Sequence, residues 1–290
     1  MSKKIGIQTF EKFEGRKGIG SSRIRARWIA NHWEDAEIYK SGQKYDIMIY
    51  QKCYWIDHAK NFDGIKILDL CDPDWLHWAY RVKEMIDLCD AVTTSTEALA
   101  ESIRKFTDKP VVCIPDRLDL DEFKNKKIHC GRAKTALWYG YSNNATLLYP
   151  VINYLIKHNL NLIVLSDKQV QIQRDQAEKI KVDFYKYNEE TANNNIIKGD
   201  FVINPKSKSG KWKYKSNNKT ITALALGVPV VETPKDIERF LDPDERNKEI
   251  NDKTENIRKE YDVKNSIKQY NDLIDEIKKS KKINTEENPS

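Results

Sequence analysis

The first part of the chain alternates between short apolar runs and longer segments with helical spacing. The apolar runs do not alternate regularly with polar residues, a pattern typical of strands covered on both faces of a parallel sheet. Strands are predicted at KKIGIQTF, the short AEIY, YDIMIYQKC, IKILDLC, AVTTS and PVVCIP. Helices are predicted between them, at RIRARWIANHW, residues 56–61, WLHWAYRVKEMIDLC and EALAESIRKF. This order predicts an α/β fold of the doubly wound, Rossmann-like type.

The same order begins again after a polar segment. Residues 116–134 are weakly periodic and typical of a linker, and the pattern resumes at TALWYG. Further strands are predicted at LNLIVLSD, VDFYKY, DFVINP and VPVVE, with helices at ATLLYPVINYLIKHN, ETANNNIIK and NNKTITALALG. We therefore predict two tandem Rossmann-like domains, over residues 1–125 and 126–243, that face each other across a cleft. A long charged helix over 244–281 has amphipathic spacing and is expected to pack on another element. Residues 282–290 are predicted to be a disordered tail.

Composition narrows the class of protein only modestly. The 290 residues are 39% hydrophobic and 32% charged, with a net charge of +6, which fits one or two folded domains with a polar surface. The positive charge favours anionic partners such as nucleotides, phosphates, nucleic acid or acidic lipid. The chain has no apolar run long enough to span a membrane and no signal-peptide pattern at its start. Its five cysteines and five histidines form no metal-binding motif. We expect a cytoplasmic protein, of a bacterium or a phage-infected cell, with reduced thiols and no bound metal.

The stretch KWKYKSNNKTITALALGVPVVETP, residues 211–234, places lysines where a helix is predicted to begin. Lys215 and Lys219 are unfavourable there, because the helix macrodipole already puts positive charge at that end. Asn217 or Asn218 is a natural N-cap, and the backbone N–H groups of a helix start bind anions. A diphosphate among these groups would remove the repulsion. The alternative is an ordinary solvated lysine-rich loop.

Other loops that follow predicted strands carry polar residues. Ligands in an open α/β sheet bind beyond the carboxyl ends of the strands, so these loops are candidate sites. Gly140 follows TALWYG, and Ser142 and Asn143 come next, either as ligand contacts or as an ordinary helix start. In the first domain, Gln51 and Lys52 follow the strand YDIMIY.

Asp72 and Asp74 follow the strand IKILDLC, and two carboxylates there could supply a general base for a hydroxyl nucleophile. Asp-Pro-Asp also serves as plain turn chemistry, and its spelling matches the metal-binding DxD of one glycosyltransferase architecture. Arg25 falls in the apolar sector of its helix and needs an anionic partner, in a structural ion pair or at the cleft. Gly20 lies in GRKGIGSS, which lacks the third glycine of a dinucleotide fingerprint. We therefore predict no dinucleotide cofactor, although these glycines permit a ligand to approach the backbone.

The second half carries the pattern K-x-x-[E/T]-A-x-A-x-G-x-P-V-V from Lys219 to Val231, and CDAVTTSTEALAESI and KPVVCIPD precede the linker. With the two Rossmann-like domains, these residues resemble the GT-B glycosyltransferases of group 1 (the GT4-like set), a phage-type member being one option. In that family the second domain binds a nucleotide-diphosphate sugar through basic residues, a role the resemblance implies for Lys219 and Lys215. The family often has a glutamate for the ribose where this chain has Thr222, and an acidic residue where it has Tyr214. The terminal helix of the family crosses back onto the first domain, and no metal or other cofactor is required.

These considerations predict three sets of site residues. The general-base candidates are Asp72 and Asp74. The donor side is predicted to comprise Gly140, Ser142, Asn143, Lys215, Ser216, Asn217, Asn218, Lys219 and Thr220. The acceptor side is predicted to comprise Gly20, Arg25, Gln51 and Lys52.

The function indicated is transfer of a sugar from a nucleotide-diphosphate sugar to a hydroxyl acceptor. The acceptor is left open between an envelope glycan and a hydroxymethylated DNA base, because Lys-rich KSGKWKYK contains aromatic residues that could meet bases. A second hypothesis is a non-catalytic module of the same fold that binds sugar nucleotides or nucleic acid.

Overall fold

The chain folds as two compact units. The computed structural model describes residues 4–205 and 210–287, with side chains described up to residue 283. The first unit contains residues 4–119, 210–216 and 261–287, and the second contains 120–205 and 217–260. The predicted basic loop begins at 206, and its residues 206–209 lie outside the described part of the chain.

The first unit is built on a six-stranded sheet in which every pair of neighbouring strands is parallel, in the order β2-β1-β3-β4-β5-β6. Its strands are β1 (Ile5–Thr9), β2 (Ala36–Ile38), β3 (Ile47–Gln51), β4 (Ile65–Leu70), β5 (Ala91–Thr94) and β6 (Val111–Cys113). Its first helices are α1 (Phe10–Phe13), α2 (Gly20–Ser22) and α3 (Trp28–His32), with a π-helical turn over Arg23–Arg27 between the last two. They are followed by α4 (Ile56–Asn61), α5 (Trp75–Leu88) and α6 (Glu97–Ile103).

The central strands of this sheet are buried on both faces, as their mainly apolar, non-alternating sequences predict. Ile7, Met48 and Leu68 are 0% exposed. The turn into β4 requires a glycine, because a methyl group on Gly64 would lie 2.1 Å from the carbonyl oxygen of Asp46.

The second unit has a five-stranded parallel sheet in the order β11-β10-β7-β8-β9. Its strands are β7 (Thr135–Tyr139), β8 (Asn161–Ser166), β9 (Val182–Lys186), β10 (Phe201–Ile203) and β11 (Val230–Val231). Its helices are α7 (Tyr149–Lys157), α8 (Arg174–Ala177), α9 (Glu189–Ile196), α10 (Asn218–Ala225), α11 (Pro234–Arg239) and α12 (Pro243–Glu260). Short 3₁₀ turns occur at Leu120–Glu122 and Ser142–Leu147 in this unit, and at Gly210–Tyr214 in the first.

The C-terminal region differs from the single helix expected over 244–281. It forms two helices, α12 in the second unit and α13 (Val263–Glu287) in the first. The break arises because residues 261–263 pair with Leu118, whose N–H donates to Tyr261 O (2.8 Å) and whose carbonyl accepts from Val263 N (2.9 Å). Helix α13 extends into the segment expected to be a disordered tail, and residues 288–290 of that segment lie outside the described chain.

Helix α13 is anchored to the sheet of the first unit. The Tyr270 hydroxyl donates to Asp69 Oδ1 (3.2 Å), and its ring lies 5.8 Å from that of Trp33. The predicted fold class is confirmed by two parallel sheets with flanking helices and a long C-terminal helix. Among the described residues, no helix is both long enough and apolar enough to cross a bilayer.

Candidate active site

The strand order of each unit marks where a ligand is expected. In a doubly wound sheet this is the crevice beyond the carboxyl ends of the two strands where the chain order reverses. These strands are β1 and β3 in the first unit, and β7 and β10 in the second. Gln51 and Lys52 lie at the end of β3, and Gly140 lies at the end of β7.

Arg25 is buried beneath the first of these places. Its guanidinium is 2% exposed, and it donates to both carboxylate oxygens of Asp69 (2.8 and 2.6 Å) and to Asp116 Oδ1 (2.9 Å). Burial alone would lower the pKa of Arg25, but Asp69 and the other negative neighbours raise it well above its usual value. Of the two roles open from the sequence, Arg25 therefore adopts the structural ion pair, and its guanidinium is not available to an acceptor.

A row of buried polar residues crosses four strands at this level. Thr9, Gln51, Asp69 and Thr93 are paired in register across β1, β3, β4 and β5, and each is at most 4% exposed. Gln51 Oε1 accepts from Phe10 N (3.2 Å) and from the Ser22 hydroxyl (2.9 Å). The Phe10 N–H can only donate, so the amide orientation of Gln51 is determined, and its buried Nε2 has no partner among the described residues.

Lys52 follows Gln51 directly and has a backbone conformation that non-glycine residues seldom adopt. Its φ is 51°, and its N–H donates to the carbonyl oxygen of Asp69 (2.8 Å). Its ammonium lies 5.1 Å from the centre of the Phe10 ring and 2.7 Å from Asp72 Oδ2. This turn directs the lysine towards the carboxylates at the end of β4, and local backbone strain of this kind is concentrated at functional sites.

Asp72 and Asp74 have different surroundings. Asp72 is half-buried and accepts from Lys52 Nζ (2.7 Å) and from Lys215 Nζ (2.6 Å). Asp74 is 6% exposed, accepts from the Tyr54 hydroxyl (2.7 Å) and lies 3.6 Å from Lys52 Nζ. The structure thus brings together both general-base candidates and one predicted acceptor-side lysine.

The two carboxyl groups are shifted in opposite directions. Burial alone would raise the pKa of Asp72, but the ammonium groups of Lys52 and Lys215 outweigh it and lower that pKa. Burial raises the pKa of Asp74, and its bonds to Lys52 and Tyr54 only partly offset this effect. Pairs of carboxyl groups whose pKa values are pushed apart are a common basis for acid and base roles.

Gly20 lies at the start of α2, where a methyl group would meet nothing within 4 Å. The neighbouring Gly18 needs its glycine, since its φ is 72°, and its N–H donates to Glu11 Oε1 (2.8 Å). Gly20 is therefore open to close approach, while Gly18 is required by the turn.

In the second unit, Gly140 and Lys219 are in direct contact. Gly140 has a φ of 149°, and a methyl group built on it would lie 2.5 Å from Lys219 Nζ. The ammonium group lies 5.4 Å from the ring centre of Trp138 and 5.9 Å from that of Tyr139. The Tyr139 hydroxyl donates to the carbonyl oxygen of Lys219 (2.7 Å). A lysine at the start of α10 is thus tolerated because its ammonium group is stabilised by cation–π interactions with the aromatic rings at the end of β7.

The remaining predicted donor residues of this unit lie around the same strand ends. Thr220 Oγ1 accepts from Asn204 Nδ2 (3.1 Å), just beyond β10. The Ser142 N–H donates to Asp167 Oδ1 (2.7 Å) beyond β8, and burial of Asp167 is outweighed by such bonds, which lower its pKa. Asn143 is exposed on the 3₁₀ turn that follows.

The two asparagines predicted as caps do not act as expected. Asn217 is the N-cap of α10 by position, but its side chain makes no capping hydrogen bond, because its backbone is outside the extended conformation of a capping residue (φ −87°, ψ 17°). Asn218 Nδ2 is buried and has no partner among the described residues.

The residues predicted for the donor side belong to both units. The chain passes from the first unit to the second between Ser216 and Asn217. Lys215 pairs with Asp72, and the Ser216 hydroxyl donates to Asp116 Oδ2 (2.6 Å), so both belong with the carboxylates of the first unit. Lys219 and Thr220 belong to the strand ends of the second.

The two positions that depart from the family pattern are both buried. Thr222 is 8% exposed within α10. Tyr214 is also 8% exposed, its ring lies 5.4 Å from that of Trp75, and its carbonyl accepts from Thr96 Oγ1 (3.3 Å). Tyr214 is therefore an anchor of the first unit and is not available to stack on a base.

Sequence reasoning missed Tyr54 and the aromatic pair Trp138 and Tyr139. Tyr54 stands two residues after Lys52 in QKCYW, and the pair directly precedes Gly140 in LWYG. Their proximity to predicted site residues was the available signal, but strand aromatics more commonly serve the core.

Taken together, two parallel α/β sheets and a long C-terminal helix constitute the fold of the GT-B glycosyltransferases. The solved structures similar to this chain include AviGT4, a glycosyltransferase involved in avilamycin A biosynthesis, with a TM-score of 0.55 and 11% identity over 93% of this chain and 96% of that one. TarM superposes with a TM-score of 0.59 and 14% identity over 79% of this chain. The match covers 54% of the TarM chain, so this chain spans about half of its length.

A third structure, that of the T4 phage BGT with its UDP-glucose substrate, has a TM-score of 0.48 and 11% identity, over 97% of this chain and 98% of that one. A likeness at that level carries no weight for function. No protein-family model matches the chain. No curated protein matches it either.

Proposed function

We propose that the protein transfers a sugar from a nucleotide-diphosphate sugar to a hydroxyl acceptor, with the nucleotide sugar as a co-substrate and without a bound cofactor or metal. The contact between Gly140 and Lys219 is the observation that carries this proposal. A side chain at Gly140 would collide with the lysine, so both residues are matched to place an ammonium group at the end of β7. The GT-B fold of the chain supports the same function.

The donor diphosphate is assigned to the second unit. Lys219 supplies a positive charge beside the N-terminus of α10, and Asn218 adds a buried amide N–H₂ that has no hydrogen-bond partner within residues 4–205 and 210–287. Charge that develops on the leaving diphosphate would be stabilised there, which is the electrostatic effect that usually dominates such reactions. Gly140, Ser142 and Asn143 follow β7, and Asn217 and Thr220 flank the start of α10.

The acceptor hydroxyl is assigned to the first unit, with Asp74 as its general base. A raised pKa makes Asp74 the better proton acceptor of the two carboxylates. Asp72 is neutralised by Lys52 and Lys215, and we assign it to holding those lysines in position. Both an envelope glycan and a hydroxymethylated DNA base carry a suitable hydroxyl, and a cytoplasmic location fits either.

A thermal-shift panel of nucleotides and nucleotide sugars tests the donor assignment, since a ligand that binds the folded state raises the unfolding temperature. We expect a nucleoside diphosphate and one of its sugar derivatives to stabilise the protein. The variant Lys219→Ala should lose this stabilisation and most sugar transfer. Lys179→Ala removes an exposed lysine of the same unit and serves as the matched control. Near-normal transfer by Lys219→Ala would refute the assignment.

The burial of Thr222 favours a second candidate function, a binding module without catalysis. A buried threonine cannot replace the glutamate that the family uses for the ribose. Slow hydrolysis of the donor in the absence of an acceptor distinguishes the two. Hydrolysis that depends on Asp74 supports an enzyme, and donor binding without any turnover supports the module.

A further inference from the structure

A run of residues in the first unit is exposed without interruption. Residues 76–81, LHWAYR, are all exposed, and their large side chains include Leu76 (57%), Trp78 (47%) and Tyr80 (79%). A helix that lies on a protein surface buries one side chain in every three or four. This run buries none, so it projects from the unit, and we call residues 76–81 the exposed hook.

The hook has a well-defined base. Trp75 is held between Phe106 and Tyr214, with ring centres at 6.4 and 5.4 Å, and Val82 returns to the core at 1% exposure. Between them, Trp78 has non-helical backbone angles (φ −134°, ψ 45°) that interrupt the first turns of α5. The apolar side chains are thus presented to solvent by an anchored segment.

The surroundings of the hook are apolar and basic. Phe106, which packs on Trp75, is itself 47% exposed. Residues 210–216 join the base through Tyr214 and contain lysines and no acidic residue. Lys211 and Lys213 there are exposed. Acidic residues on the neighbouring segments are Glu84, which pairs with Lys60 (2.9 Å), Asp87, which pairs with Lys83 (3.2 Å), Glu97, which pairs with Arg104, and the exposed Glu101 and Asp108.

We propose that the exposed hook is a docking surface for an anionic lipid bilayer. Leu, Trp and Tyr on one projecting segment with lysines beside it match an interfacial membrane anchor, in which apolar side chains enter the acyl boundary and lysines meet anionic headgroups. Trp and Tyr favour that interface because they carry a polar group on an apolar ring.

The shape of the surface decides against nucleic acid. Sites for unpaired bases are basic grooves with aromatic platforms, whereas these side chains lie on a projection. Leu76 and Phe106 offer no hydrogen-bonding group to a base. Of the two aromatic residues in the basic segment, Tyr214 is buried and Trp212 is only partly exposed.

The position of the hook links docking to the proposed function. Asp74 lies two residues before Leu76, and Trp78 packs at 6.2 Å from the ring of Tyr54, whose hydroxyl binds Asp74. A bilayer on the hook would therefore lie next to the proposed general base. This part of the inference rests on the proposed function and indicates an acceptor held at the membrane surface.

Sedimentation of the full-length chain with vesicles tests the proposal. Vesicles of phosphatidylcholine alone and of phosphatidylcholine with phosphatidylglycerol are compared at low and moderate salt. We expect binding to the anionic vesicles and a fall of at least tenfold in the double variant Leu76→Ser/Tyr80→Ser. The control Tyr154→Ser/Phe184→Ser removes two side chains of the second unit that are 40% and 37% exposed, and it should bind like the parent.

Three results would overturn the proposal: no binding to anionic vesicles at low salt, equal binding by the hook variant, or displacement of the protein from vesicles by a single-stranded oligonucleotide. If analytical ultracentrifugation shows that the parent is a dimer and the hook variant a monomer, the surface binds a second copy of the chain and the proposal is wrong. Thermal stabilisation by a nucleoside diphosphate is measured on the same variants. If it persists while vesicle binding is lost, docking and the donor site are independent, and if no nucleotide stabilises the parent, the proposed function fails without affecting the docking result.

Discussion

The substitution Gly140→Ala is the most direct test of how the donor site is built. The new methyl group would lie 2.5 Å from Lys219 Nζ and 3.1 Å from its Cε, well inside ordinary contact distance. Lysine is flexible, so the ammonium group would move by about 1 Å or more to reach an ordinary contact of roughly 3.5–4.0 Å. The surrounding fold need not change, but the charge would be displaced from its position at the end of β7.

Two costs follow from this geometry. An alanine at a φ of 149° is strained and should lower the free energy of unfolding by about 1–3 kcal/mol. Loss of a charge-assisted hydrogen bond to a diphosphate corresponds to about 1.5–3 kcal/mol. At 1.4 kcal/mol for each factor of ten, the affinity for a nucleoside diphosphate should fall by roughly 10- to 150-fold.

Calorimetric titration with a nucleoside diphosphate and thermal unfolding measure these costs separately. Gly131→Ala is a matched control, because Gly131 also has a positive φ (65°) in the second unit but has nothing within 4 Å of an added methyl group. It should lose stability and keep its affinity. The double variant Gly140→Ala/Lys219→Ala should bind no more weakly than Lys219→Ala, because the glycine acts through the lysine. Normal affinity in Gly140→Ala, or additive losses in the double variant, would refute the reasoning.

Three further predictions concern other residues. Arg25→Met should lower the free energy of unfolding by about 3–5 kcal/mol, since it leaves Asp69 buried and unpaired, and Arg25→Met/Asp69→Asn should recover part of it in urea unfolding. The pKa of His129 is lowered by burial to about 4, below its ordinary 6.5, so unfolded chains bind this proton first. Stability should therefore fall as the pH drops from 6.5 towards 4, by at most about 3 kcal/mol, and His129→Gln should flatten this slope in thermal scans. Tyr54→Phe removes a bond that lowers the pKa of Asp74, so the acid limb of the rate profile should move to higher pH, and an unmoved limb would exclude Asp74 as the base.

How far the sequence predicts this protein depends on the kind of feature. The strands and most helices follow from mainly apolar, non-alternating runs such as IKILDLC and from helical spacing, because both patterns are local and directly reflect burial. The lysine at the start of α10 and the glycine at the end of β7 were also identifiable, since each is unfavourable or unusual at its own position without a partner.

The single C-terminal helix expected over 244–281 shows where local patterns fail. Its charge and spacing continue through residue 262, and the break is imposed by backbone pairing with Leu118, more than a hundred residues earlier. The role of Arg25 was likewise open, because only the fold shows that Asp69 and Asp116 surround it.

The sequence by itself determined which residues could form two parallel sheets and which loops would follow their strands, since periodicity and strand order are encoded along the chain. Only the tertiary structure decided which of those loop residues meet. It paired Lys215 with Asp72, placed Tyr54 on Asp74 and left Leu76 and Tyr80 in solvent. These outcomes depend on contacts between segments distant in sequence, and no local pattern records which partner a side chain will find.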